Sequence, residues 1–121
     1  MKLEELRVYQ QSMELAEKIW NIVTDRDYFS EDTAGKQLIR AVDSIAANLS
    51  EGFGRYHYRE NKNFGYYSRG SLYETKTWLI KAHNRKLVKS EDFNSFIKEL
   101  DDIGIRLNNY INTIGKSNTT E

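Results

Sequence analysis

Ser44-Ile45-Ala46-Ala47-Asn48-Leu49-Ser50-Glu51-Gly52-Phe53-Gly54-Arg55, followed downstream by Gly70-Ser71-Leu72-Tyr73-Glu74, places Ser44, Asn48 and Gly52 at successive i+4 steps beside Ile45 and Leu49. On an α-helix that spacing puts all three on one side. A helix that only had to bury an oily stripe has no use for a hydroxyl, an amide and a missing side chain there. Buried polar groups cost free energy unless they are hydrogen-bonded, so the pattern predicts a specific docking geometry against a neighbouring helix. Small residues let two helix axes approach, and the amide fixes their register. We assign Gln37, Arg40, Ser44, Asn48, Glu51, Gly52, Ser71 and Glu74 to this polar seam.

Working outward, the chain reads as four amphipathic helices. Leu6, Tyr9, Met13, Ala16, Trp20 and Val23 recur at steps of three and four, with Leu15, Ile19 and Ile22 widening the face, and this run ends near Asp25-Arg26-Asp27. Ser30, followed by Glu31 and Asp32, reads as the N-cap of the second run, whose stripe is Leu38, Val42, Ile45, Leu49 and Phe53. That run should stop at Gly52-Phe53-Gly54, where glycine supplies a left-handed exit. Phe64, Tyr67, Ser71, Thr75, Trp78 and Ala82 mark a third helix over about residues 58–84. Ser90, with Glu91 and Asp92 behind it, reads as the cap of the fourth, which carries Phe93, Phe96, Ile97, Leu100, Ile103, Leu107, Tyr110, Ile111 and Ile114. Short connections make neighbours antiparallel. The expectation is all-α: an up-down-up-down antiparallel four-helix bundle in a single domain over residues 1–115, with 116–121 a frayed polar tail.

Composition narrows the function. The 121 residues contain no cysteine and no proline, so neither disulfides nor thiolate metal sites are available and nothing forces a helix break. No span of about 20 apolar residues and no leader-like apolar run occurs, so we expect a cytoplasmic protein without a membrane partner. Net charge is zero, which argues against a general nucleic-acid binder. Its distribution is uneven, however. Residues 54–89 hold nine Lys/Arg against two Asp/Glu, while residues 90–121 hold three against six.

No catalytic set emerges. Carboxylate-bridged metal centres in bundles use a Glu-x-x-His pair on each of two helices, and the residues three before His57 and His83 are Gly54 and Ile80. Signatures of nucleophilic acyl transfer are missing, and Gly52-x-Gly54 lacks the strand and lysine of a phosphate loop. Glu51 and Glu74 have two readings: a carboxylate pair for acid/base chemistry, or partners of Arg40 or Arg55 within or between bundles. We favour the second, because tightly packed short-loop bundles offer few clefts. The expected protein is therefore not an enzyme, with no catalytic residue, metal, cofactor or small-molecule substrate.

One stripe is sharper. Lys62, Tyr66, Arg69, Tyr73 and Lys76 follow steps of four, three, four and three along helix three, just after Arg55-Tyr56-His57-Tyr58-Arg59. Cationic groups hold phosphates and tyrosine rings stack on unpaired bases, so Arg55, Arg59, Lys62, Tyr66, Arg69, Tyr73 and Lys76 form a candidate nucleic-acid-binding set, with RNA or another nucleic acid as the partner. Tyrosine and arginine are also enriched at protein interfaces, and an acidic segment of a second copy would suit the same stripe. A simple solvated face is the third reading, and all three stand at this point, the subunit interface first.

Leu6-x-Val8-Tyr9-Gln10, Gln37-Leu38-x-Arg40-Ala41-x-x-Ser44-Ile45-x-x-Asn48-x-x-Glu51-Gly52-x-Gly54-Arg55, Phe64 and Gly70-Ser71-Leu72-x-Glu74 together resemble the bacterial four-helix bundle proteins encoded in intervening sequences of 23S ribosomal RNA genes. That family is similar to the accessory protein of diversity-generating retroelements, which works with a reverse transcriptase and RNA. The resemblance implies a homopentamer, no established catalytic activity and no settled cellular role. The retroelement proteins are strongly basic whereas this chain is neutral, so the ribosomal branch is the better match. Prolines common in the family at the positions of Ser30 and Ala46 are absent here, so helix two is expected to run straighter.

Overall fold

A computed structural model of the chain describes residues 1–25 and 31–116. A short 3-10 turn, Leu3–Glu5, leads into α1, Arg7–Val23. A wide turn, Glu31–Gly35, bends at Thr33 (φ −104°, ψ −109°) and precedes α2, Lys36–Phe53. Then come α3, Tyr58–Asn84, and α4, Ser90–Thr113. Among the described residues there is no strand.

Residue pairs fix the directions of the helices. Gln11 meets Asp102 while Lys18 meets Glu99, so α1 and α4 run oppositely. Arg69 meets Asn108 while Lys76 meets Asp101, which makes α3 and α4 antiparallel. Gly52 approaches Asn61 and Phe64 while Ile45 meets Ser68, which does the same for α2 and α3. Each helix therefore reverses its predecessor and α4 closes back on α1, the up-down-up-down bundle.

In α2 and α4 the expected stripes face inward: Leu38, Val42, Ile45 and Leu49 are buried, as are Phe96, Leu100, Ile103, Leu107, Ile111 and Ile114. In the other two helices the inward side is turned by about one position. The core of α1 is centred on Leu15 and Ile19 with Val8, Ser12, Ala16 and Val23, whereas Met13 and Trp20 are 45% and 49% exposed. In α3 the buried set is Gly65, Ser68, Leu72, Thr75, Leu79 and Ala82. Tyr67 lies outside, and Phe64, Ser71 and Trp78 sit on the flanks. For α3, close approach is the reason. A Cβ on Gly65 would lie 2.7 Å from Ile111 Cγ1, and one on Gly52 would lie 2.7 Å from Phe64 Cβ. Large rings have no room along such contacts, so small residues fill the centre and the aromatic groups are displaced sideways. The buried hydroxyls are satisfied by carbonyls: Ser68 Oγ donates to Ile45 (2.7 Å), Thr75 Oγ1 to Ser71 (2.7 Å) and Ser12 Oγ to Val8 (2.7 Å).

Two end signals differ from expectation, the glycine exit of α2 and the cap of α4. Helix α2 does stop at Phe53, but Gly54 has φ −80° and ψ −2°, which is right-handed, and Gly52 serves as a contact inside the helix. Left-handed backbone occurs instead at Gly115 (φ 81°), just past α4, and at Lys86 (φ 63°), just past α3, where the Lys86 amide donates to the His83 carbonyl (3.0 Å) and the Leu87 amide to Ala82 (2.9 Å). That pair of hydrogen bonds is a Schellman ending with lysine in the position glycine usually takes. Ser90 is the first residue of α4, with Lys89 as its cap, because the Ser90 hydroxyl is engaged by His83 Nε2 at 3.1 Å. The Ser30 cap and the tail beyond Lys116 lie outside the described residues.

Candidate functional site

The stripe of α3 occupies the flank that turns toward α4. Tyr66 and Tyr73 are 45% and 62% exposed. The Arg69 guanidinium lies 5.2 Å from the centre of the Tyr66 ring, and Lys76 Nζ lies 5.5 Å from that of Tyr73. Each cation therefore sits against the electron-rich face of the tyrosine one turn before it. Helix α4 sets how much of that charge remains available. Arg69 Nη1 donates to the neutral Asn108 Oδ1 (3.0 Å), which orients the guanidinium without cancelling its charge, whereas Lys76 Nζ is paired with Asp101 Oδ1 at 2.6 Å. Between these two cations lies an open depression bordered by Tyr73 and Ile105 and bedded on Leu72, Leu100 and Gly104.

Toward the start of α3, Lys62 is half-buried and Arg59 exposed, and neither side chain has an ion-pair partner among the described residues. Arg55 is different. It pairs with Glu51 (2.9 Å) and Glu60 (3.8 Å) and lies 5.0 Å from the Phe64 ring centre. Of the five cations in the candidate set, Arg59, Lys62 and Arg69 keep uncompensated charge, and Arg55 and Lys76 do not. Sequence reasoning missed Asn108, Asp101 and Glu60 as the residues that decide this, and periodicity within α3 holds no signal of two partners that lie on α4.

The polar seam is partly assembled. Asn48 Nδ2 donates to the Ser44 carbonyl (3.0 Å) and across to Ser71 Oγ of α3 (3.3 Å), and Ser44 Oγ donates to the Arg40 carbonyl (2.9 Å). Gly52 is buried at the close contact with α3. Glu51 turns out to its pair with Arg55. Gln37, Arg40 and Glu74 are not brought into the seam: their side chains have no hydrogen bond or ion pair among the described residues, and Arg40 and Glu74 are exposed.

Elsewhere burial, hydrogen bonds and neighbouring charges shift three groups. The Asp43 carboxyl is pushed above the usual aspartate value by burial and by Glu17 across the groove between α1 and α2. Asp102 is held below it, chiefly by the hydrogen bond from Gln11 and then by Arg106. Burial raises the Tyr110 phenol, whose hydrogen bond with Asn61 acts in the opposite direction. His57 is exposed and meets Tyr56 edge-on at 4.9 Å, while His83 stacks on Phe93 at 4.3 Å. Among the described residues no three His, Asp or Glu side chains gather as metal ligands, and no helix is long and apolar enough to cross a membrane.

These features define an all-α bundle with a basic-aromatic flank and a close-packed polar seam. The chain belongs to the 23S rRNA-intervening sequence protein family, whose model matches residues 4–109. Its fold is similar to that of a Bacteroides thetaiotaomicron protein of unknown function from the S23 ribosomal protein family, solved at 1.70 Å resolution. The TM-score is 0.73 at 23% identity, covering 86% of this chain and 97% of the other. No curated protein matches the chain.

Proposed function

We propose that the chain is a non-enzymatic, self-assembling cytoplasmic accessory protein that holds RNA, or a ribonucleoprotein, along the α4-facing flank of α3. The observation that carries this reading is Arg69: its guanidinium is stacked near Tyr66 and braced by the neutral Asn108, so a fixed, uncompensated cation stands beside exposed rings. Such a surface suits phosphate plus a stackable base, without selecting a sequence. The family to which the chain belongs is named for sequences that interrupt 23S rRNA genes, which agrees with an RNA context. Self-assembly, as a homopentamer, is part of the same reading.

Titration with single-stranded RNA at several salt concentrations tests it. Lys62→Gln and Arg69→Gln should each flatten the salt dependence by about one unit of slope. Lys76→Gln should change it less, because Asp101 already compensates that charge. Tyr66→Ala and Tyr73→Ala should weaken binding by about 1–3 kcal/mol per stacked base and leave the slope unchanged. Loss of assembly in the Gln variants would instead make the flank a subunit interface and turn the protein into a protein-binding scaffold. Unchanged RNA affinity in an intact oligomer would move the site, with Arg59 the next residue to replace.

A further inference from the structure

The depression between α3 and α4 is kept open by a glycine that packing does not require. Its bed is Leu72, Leu100 and Gly104, its banks are Tyr73 on α3 and Ile105 on α4, and its ends are Arg69 with Asn108 and Lys76 with Asp101. Gly52 and Gly65 are held bare by contacts in which an added Cβ would lie 2.7 Å from a neighbouring side chain. A Cβ on Gly104 would meet only Leu72 Cδ1, at 3.9 Å, which is ordinary contact. Glycine inside a helix is destabilising relative to alanine, and here the chain's own contacts give no return for it. What the bare backbone does is leave the bed open between Tyr73 and Ile105, each 62% exposed.

Chemistry selects what enters. Lys76 Nζ lies 5.5 Å from the centre of the Tyr73 ring and covers one face of it, which leaves the other face for stacking. The two ends differ in charge. Arg69 keeps its charge because the neutral Asn108 amide braces it, whereas Asp101 neutralises Lys76 and repels a second anion. Phosphate therefore belongs at the Arg69 end. At the other end Lys76 takes Asp101 Oδ1 and leaves Oδ2 as an acceptor for an N–H group. Every base carries such a donor on its pairing edge, but that edge and the ring faces are available together only where the strand is unpaired.

We propose that this depression seats a single unpaired base of RNA, its faces against Tyr73 and Ile105, its phosphate on Arg69 and its pairing edge toward Asp101. The inference rests on the reading of this flank as an RNA surface and adds the class of RNA it takes: a strand with a base free to leave the stack, whichever base that is. A duplex, whose faces and pairing edges are already used, has nothing to insert. Gly104 is the residue that makes the seat, because a side chain there would occupy the place of the base.

Binding of three probes to the whole chain tests the seat: a short single-stranded RNA, the same strand annealed to its complement, and a strand of equal length whose sugars carry no bases. The unaltered protein should bind the single strand about tenfold or more tightly than the baseless one. Gly104→Leu fills the bed and should weaken the single strand about tenfold, the worth of one stacked base, while the duplex and the baseless strand bind as before. The salt slope should not change, because Arg69 and Lys62 are untouched. Gly104→Ala should raise the melting temperature and remove part of the single-strand affinity, so it carries the test should Gly104→Leu fail to fold. Equal losses on all three probes, or a folded variant with undiminished single-strand affinity, would overturn the seat. So would an unaltered protein that binds the strands with and without bases equally, although RNA binding through charge would survive. A protein that bound none of the three would overturn the RNA reading and the seat with it. Adenosine monophosphate should displace the strand only at millimolar concentration, since it brings a single phosphate contact; saturation at micromolar concentration would give the pocket to a free nucleotide and overturn the strand.

Discussion

The α2/α3 contact and the α1/α4 contact join the same kinds of helix in opposite ways. Between α2 and α3 the chains approach through Gly52, and short side chains bridge them directly: Ser68 Oγ to the Ile45 carbonyl and Asn48 Nδ2 to Ser71 Oγ. Between α1 and α4 the polar links come from longer side chains: buried Gln11 Nε2 reaches out to exposed Asp102 (2.9 Å) and exposed Lys18 Nζ to Glu99 (3.2 Å). Short groups have few rotamers and hold one register, whereas long exposed ones give up conformational entropy and compete with water. Register in this bundle is therefore set at α2/α3, and α1/α4 is a more tolerant contact.

The largest test of that contrast is steric. Leu49→Ala, at a side chain only 1% exposed, should cost about 2–5 kcal/mol, measured by urea unfolding. Gly52→Val should cost about 1–3 kcal/mol by overpacking against Phe64 and Asn61. A Gly52→Val protein as stable as the original would remove the close-approach account of the seam.

A polar comparison is smaller. Asn48→Leu should cost about 0.5–1.5 kcal/mol, less than a fully buried amide would, because Asn48 and Ser71 are half-buried and water can partly replace the lost bonds. Gln11→Met should lie within about 1 kcal/mol of neutral in either direction. It breaks the bond to exposed Asp102, but it also deletes Gln11 Oε1, a buried acceptor without a partner among the described residues. If Gln11→Met proved the more damaging of the two, the ranking of the contacts would be reversed.

The smallest expected effect is in pH. The folded-state value of Asp43 is raised, so the folded protein holds that proton more tightly than the unfolded chain and loses stability as pH climbs through the carboxylate range. Asp43→Asn should therefore match the original in acid and become the more stable protein toward neutrality, as seen in thermal midpoints compared across pH. A gap that opened on acidification would contradict the sign.

Much of the fold was legible because α2 and α4 are wide amphipathic helices: Leu38, Val42, Ile45 and Leu49, or Leu100, Ile103 and Leu107, define a buried side whichever neighbour they meet. In α1 and α3 the large apolar residues spread beyond one side. Met13, Trp20 and Tyr67 fit the helical period as well as Leu15 or Leu72 does, and only the space available next to α2 and α4 separates them. Of the candidate site, the alignment of Lys62, Tyr66, Arg69, Tyr73 and Lys76 could be read from spacing. The compensation of Lys76 and the bracing of Arg69 could not.

The sequence by itself determined four helices, the segregation of positive charge onto the third, and the membership of a family through a motif of small and polar residues. These are local properties, set by periods of three and four residues and by the order of residue types. Tertiary structure alone decided the rotation of α1 and α3 about their axes, which glycines are filled against a neighbour and which are bare, and which cations keep their charge. The reason is that each of these depends on groups brought close by folding, such as Ile111 at Gly65 or Asp101 at Lys76. No local pattern encodes a distance between residues so far apart in the chain.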